Sequence, residues 1–179
     1  ALKIKGVHPI VAADFSPARR ALALRMGADE VVDPAVTSPY ERWTELATPA
    51  GFDPSRFAQM FGIGPKRRPA VIFECVGVPG VIQSVLEGAP PDARGVVVGV
   101  CMETDRIEPF FGIVKQVNLQ FVLAYTAEEF AQSLHHLAEG RIDVTPMITG
   151  SVGLDGVQAA FEELAVPERH AKILVDPFA

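Results

Sequence analysis

Two cysteines, one tryptophan and an 8% share of aromatics are the scarcities of this 179-residue chain. Cys75 and Cys101 are too few and too isolated for a disulfide framework or a four-cysteine metal site, so a reducing, cytoplasmic setting is the expectation. Positive charge is short too: 16 basic against 22 acidic residues leave a net charge of −6. That balance argues against a nucleic-acid binder, which needs a basic face. No apolar run approaches the roughly 20 residues that span a bilayer, so no membrane partner is expected. The opening Ala1-Leu-Lys-Ile-Lys5 is too short and mixed for a signal peptide. The absence of Met at position 1 suggests that Ala1 is not a natural start.

What remains is 49% hydrophobic and 21% charged, the composition of a chain that buries a core. Its length suits one domain. The apolar segments are short and alternate in type. Val7–Ala13 reads as a strand buried on both faces and stopping at Asp14. Ser16-Pro17 reads as an N-cap and first helical turn, and Gly27 as the end of that helix. Glu30–Val32 is a second short strand. Six prolines break up residues 33–69, where Tyr40–Ala47 and Pro54–Phe61 read as short helices packed by Trp43, Phe57 and Phe61. Lys66-Arg67-Arg68 closes this connection and reads as a solvated loop rather than a binding surface.

Alternation then resumes: strand Ala70–Val76, helix Pro79–Leu86, strand Gly95–Val100, helix Phe110–Val117, strand Leu119–Tyr125 and helix Ala127–Glu139. Val144–Thr149 reads as a strand, Asp155 as the cap of a helix to about Leu164, and Ala171–Val175 as the last strand. Strands and helices taking turns predict a doubly wound parallel α/β sheet.

An acidic residue at the carboxyl end of a buried strand is where dinucleotide folds hold the adenosine ribose, and Asp14 occupies such a place. It is equally a plain turn residue ahead of Ser16, and position alone does not divide the two. The glycine-rich phosphate loop belongs roughly 20 residues earlier, which is before Ala1. Phe73-Glu-Cys-Val-Gly77 and Val96-Val-Val-Gly99 both end strands on glycine, which admits close backbone approach to a flat ligand.

In this order, the stretches resemble the cofactor-binding half of the medium-chain, zinc-type alcohol dehydrogenases. They are Ala13-Asp14 with Arg19, Met26–Asp33, Val71–Gly77, Gly95–Val100, Leu119–Tyr125 and Arg169–Pro177. The 33–69 connection departs from the family by its length and prolines. The resemblance implies a Rossmann-like fold lacking its first strand and glycine-rich loop. Residues 1–179 would form a single dinucleotide-binding domain, truncated at its N-terminus and without the catalytic domain. Asp14 would take the ribose hydroxyls, with Arg19 beside it. Cys75, Val76 and Gly77 would line the adenosine side. Val98, Gly99 and Val100 would lie along the nicotinamide, Leu123 and Ala124 near its carboxamide, and Lys172 would reach the pyrophosphate.

The resemblance implies NAD rather than NADP, because Asp14 would repel a 2′-phosphate, although Arg19 and Arg20 nearby would soften the repulsion. It implies zinc only in the whole enzyme, with none in this segment, and an alcohol or aldehyde as substrate. The segment alone is expected to be inactive. The competing reading is a non-catalytic fragment or degenerate homologue that serves as a dimerisation module.

Other tempting residues have plainer readings. Cys75 and Cys101 read as small apolar residues at strand ends. His135 and His136 point about 100° apart on one helix and cannot share an ion. His8 and His170 are isolated, and Glu128-Glu129 and Glu162-Glu163 read as solvated helix faces. A sheet without its first strand leaves edges on strands 7–13 and 70–76. That gap would be closed by those two strands moving together or by a strand from another copy, and the resemblance adds a dimer contact through an edge strand near Leu119–Tyr125. The expectation is a homo-oligomer, most simply a dimer, with weak or no NAD binding by the chain alone because the phosphate cradle is absent.

Overall fold

The computed structural model describes residues 1–48, Ala50 and residues 68–179. The expected helix at 54–61, Phe57, Phe61 and the basic residues Lys66 and Arg67 lie outside the described residues. The chain divides into two compact units, residues 1–39 with 125–179, and residues 40–124.

The first unit opens with β1 (Val11–Ala13), α1 (Pro17–Arg25) and β2 (Glu30–Val32), and β1 pairs with β2 in parallel. β1 is shorter than the expected 7–13 strand. Pro9 has no amide to donate, and the Ile10 amide is taken by the Asp29 carboxylate at 2.7 Å. Ser16 caps α1 as expected, its hydroxyl accepting from the Arg19 amide, and Gly27 follows the helix at φ +101°.

After the second unit the chain returns as α5 (Ala127–Ala138), β6 (Ile148–Val152), α6 (Val157–Leu164) and β7 (Lys172–Val175). Thr126 and Glu129 close a capping box on α5, so Glu129 is a structural carboxylate. β6 and β7 form another parallel pair. The expected strand at 144–149 is corrected: Thr145–Met147 is a 3-10 turn, and the strand begins at Ile148. Asp155 does not cap α6 either. It lies within a 3-10 turn, Leu154–Gly156, and Gly156 precedes the helix without a side-chain cap.

The second unit contains α2 (Pro39–Ala47), β3 (Val71–Glu74), α3 (Val81–Gly88), β4 (Arg94–Val97), α4 (Pro109–Lys115) and β5 (Asn118–Phe121). Its strands form one parallel sheet in the order β3-β4-β5, in register from Val71, Arg94 and Asn118 onward. Ile72, Val85, Ala89 and Ala93 make its core, with Tyr40, Trp43, Ala70 and Val117 packed against them. Trp43 thus packs as the sequence suggested, edge-on to Tyr40 at 5.0 Å.

β3 is not buried on both faces. Ile72 and Glu74 are buried, whereas Val71 and Phe73 are about half exposed on the opposite face. Among the described residues, β1 pairs with β2, and β3 with β4. The fold class stands: parallel strands alternating with helices in a Rossmann-like α/β pattern.

Asp29 ties the start of the first unit together. Its carboxylate accepts from Lys3 Nζ at 2.5 Å, lies 3.1 Å from His8 Nδ1, and takes the Ile10 amide. The Lys3 hydrogen bond, followed by that of Ile10, lowers its pKa from the ordinary 3.8 to about 2. A depressed carboxyl pKa gives stability that is present above 3.8 and lost as pH falls toward about 2. Urea midpoints measured across that window should therefore drop more steeply for the native protein than for Asp29→Asn.

Candidate functional site

Glu74 is the last residue of β3 and is 5% exposed, an unusual place for a carboxylate. Its partners are main-chain amides. Oε1 accepts from Val76 N at 2.6 Å and Gly77 N at 2.8 Å, folding the chain after the strand into a tight turn. Its main-chain oxygen accepts from Val98 N at 2.8 Å and Gly99 N at 3.0 Å, and this double use ends the β4 ladder at Val97.

The two strand ends therefore approach closely, and glycine is required at both. Gly77 has φ +71°, and a Cβ there would lie 2.6 Å from Val100 N. A Cβ on Gly99 would lie 2.7 Å from Glu74 Oε2 and closer still to Gly77 N. The demand for glycine thus arises within the protein, from backbone meeting backbone, and needs no ligand to explain it.

A cleft of about 230 Å3 opens beside this junction. Of the expected site residues, Gly77, Gly99, Val100 and Leu123 line it. Cys75, Val76, Val98 and Ala124 flank it in sequence without lining it. Ala124 has φ +55°, a left-handed conformation rare for a residue with a side chain and often found where function requires strain. Glu74, Val78, Ile82, Cys101, Phe121 and Val122 complete the lining. Glu74 was the legible one among these, since a charged residue ending the apolar run Val71-Ile-Phe needs buried partners. Burial, and then the charge of Glu74, push the Cys75 thiol above its usual pKa, the opposite of an activated nucleophile.

In the first unit, Asp14 follows β1 and is exposed. Its Oδ1 accepts from the Ser16 amide at 2.8 Å. Arg19 lies one turn into α1, beside a second, smaller cleft of about 140 Å3 that also touches Arg25, Arg169 and His170. Lys172 begins β7, and its backbone exchanges hydrogen bonds with the Thr149 hydroxyl.

Among the described residues, no three His, Cys, Asp or Glu side chains could hold a metal ion together. His135 pairs with Glu139 at 3.1 Å, and Glu163 with Arg169 at 2.8 Å. The described residues thus do not fit a zinc centre. Nor is any described helix long and apolar enough to cross a membrane.

Parallel strands alternating with helices define a Rossmann-like α/β fold. The family model described as zinc-binding dehydrogenase matches residues 1–139, and the chain belongs to that family. It is 28% identical over 179 residues to an (R,R)-butanediol dehydrogenase of Neisseria gonorrhoeae, a match covering 98% of this chain and 45% of that protein.

The crystal structure of 2R,3R-butanediol dehydrogenase from Bacillus subtilis superposes with a TM-score of 0.76 at 25% identity, over 99% of this chain and 46% of that one. Two more distant structures share the fold and hold different cofactors. One is an Escherichia coli alcohol dehydrogenase complexed with NADH, with a TM-score of 0.76 at 20% identity over 97% of this chain and 46% of that one. The other is described as a zinc-binding dehydrogenase of Sinorhizobium meliloti bound to NADP, with a TM-score of 0.72 at 22% identity over 98% of this chain and 47% of that one. The chain spans about half the length of the curated relatives it matches.

If the Gly77–Gly99 junction is as tight as the geometry requires, Gly99→Ala should cost about 1–3 kcal/mol by overpacking. A urea unfolding curve with an unchanged midpoint would contradict that close approach.

Proposed function

We propose that this chain is the cofactor-binding part of an NAD-dependent alcohol or polyol dehydrogenase. Family membership and the likeness to a butanediol dehydrogenase support the reaction class. The observation that carries the cofactor is Asp14. It lies at the carboxyl end of β1, with one carboxylate oxygen fixed by Ser16 N. The rest of that carboxylate is open to the 2′- and 3′-hydroxyls of an adenosine ribose, which donate to it. A 2′-phosphate would bring a second anion into contact, at about 1 kcal/mol per charge pair in water and more where water is excluded.

The cleft beside Gly77 and Gly99 has a volume below the roughly 300 Å3 at which whole-ligand pockets begin. It suits one ring of a larger ligand, and we assign it the nicotinamide side, with Val100 and Leu123 as apolar walls and the backbone of Leu123 and Ala124 toward the carboxamide. Bound there, the nicotinamide supplies hydride exchange. Arg19 sits beside the ribose, Cys75 and Val76 toward the adenosine, Val98 by the nicotinamide, and Lys172 is assigned the pyrophosphate. The 179 residues alone are proposed to be inactive, since the described ones offer no metal ligand set to polarise a substrate oxygen. Zinc would belong to the whole enzyme.

Titration of the full-length protein with both cofactors should show tighter binding of NAD. Asp14→Ala should narrow the gap by about tenfold, the loss of one charge-dependent contact. Tighter binding of NADP to the unsubstituted protein would overturn the role of Asp14.

The homologue-as-module reading keeps one supporting observation. Among the described residues, β3 and β5 are the edges of their sheet, and Val71, Phe73 and Phe121 are each 45–67% exposed. Such edges invite pairing with another chain, and we propose a homodimer that uses β5. Sedimentation velocity of the 179-residue chain at micromolar concentration should give the dimer mass. A monomer throughout that range would rule the proposal out.

A further inference from the structure

Arg20 lies on α1 just after the turn that follows β1, with its side chain only 17% exposed. It occupies the first turn of α1, a turn that carries no acidic residue. A cation there opposes the positive end of the helix dipole, so its position calls for compensation. Helical side chains lean toward the N-terminus, and the guanidinium accordingly reaches back over the preceding turn. Nη1 donates to the main-chain oxygens of Asp14 at 2.7 Å and Phe15 at 2.8 Å. Nη2 meets Asp33 Oδ2 at 2.9 Å, and that carboxylate is 29% exposed.

Asp33 is held in turn. It follows β2, the strand paired with β1, and its Oδ1 accepts from Ala35 N at 2.9 Å. One planar fork thus joins the ends of two neighbouring strands, and its acceptors include the carbonyl of Asp14 itself. On the other side Ser16 N fixes the Asp14 side chain. Arg20 is therefore engaged by three oxygens and is not available to a phosphate, whereas Arg19 beside it has its side chain on the smaller cleft.

We propose that the Arg20–Asp33 pair is a positioning device for cofactor discrimination, holding the Asp14 carboxylate where it accepts a ribose diol and rejects a 2′-phosphate. This rests on the assignment of Asp14 to the ribose. Arg20 and Asp33 touch neither cofactor. They act through the backbone that carries Asp14.

The test is a double-mutant cycle on the full-length protein, reading the ratio of dissociation constants for NADP and NAD by calorimetry, with thermal denaturation run alongside. Arg20→Gln and the isosteric Asp33→Asn should each lower the ratio by about three- to tenfold. Each should leave it unchanged when introduced into Asp14→Ala, because the carboxylate they position is gone. A merely structural role would weaken both cofactors equally and leave the ratio alone, which would overturn the proposal. So would unfolding of both variants at the titration temperature, or an equal effect with and without Asp14. If Asp14→Ala itself leaves the ratio unchanged, or the unsubstituted protein binds neither cofactor, the ribose assignment fails and the positioning role falls with it.

Discussion

The second unit depends on a carboxylate kept out of water. Glu74 is buried, so it must be hydrogen-bonded where it stands. Four main-chain amides, two on its side chain and two on its carbonyl, converge there from the ends of β3 and β4. The tight turn at 75–77, the early end of β4 and the need for glycine at 77 and 99 all follow from this arrangement. The cleft opens beside the two glycines where these strand ends meet. Loss of the carboxylate would leave two amides of the turn without partners, each costing about 1–3 kcal/mol.

The first unit solves a similar problem with exposed chemistry. A parallel strand must turn into a helix within a few residues, and the backbone groups of that turn need partners. Asp14, Ser16 and Arg20 provide them: a carboxylate on the Ser16 amide, a hydroxyl on the Arg19 amide, a guanidinium on two carbonyls. The same turn that completes the strand's hydrogen bonding leaves part of a carboxylate free at the strand's carboxyl end. Structure and the proposed recognition thus share atoms, and neither can be altered without the other.

The sheet of the second unit is covered on one face only. α3 and its neighbours pack over Ile72 and the residues beside it, while Val71 and Phe73 on the other face stay about half exposed. Parallel sheets are ordinarily covered on both faces. Among the described residues, β3 is also an edge of its three-stranded sheet.

Much of this was legible from residues close in sequence. Ser16-Pro17 with Gly27 bounded α1, and the runs read as strands at 30–32, 70–76 and 171–175 located β2, β3 and β7 to within two residues, because caps and strand patterns are local signals. The local signals erred where a competing partner lay elsewhere. Val7–Ile10 lost strand character to Asp29, Asp155 became part of a 3-10 turn, and Val98–Val100 left the ladder when two amides met one carbonyl. Asp14 could be marked as a candidate from its place after a strand. Its companions Arg20 and Asp33 could not, because thirteen residues separate them and only the pairing of β1 with β2 brings them together. The sequence by itself determined the alternation of strand and helix, the family and the acid at the first turn. Tertiary structure decided which carboxylate is buried, which arginine is engaged and why the glycines are needed, since each depends on how closely two distant backbones approach.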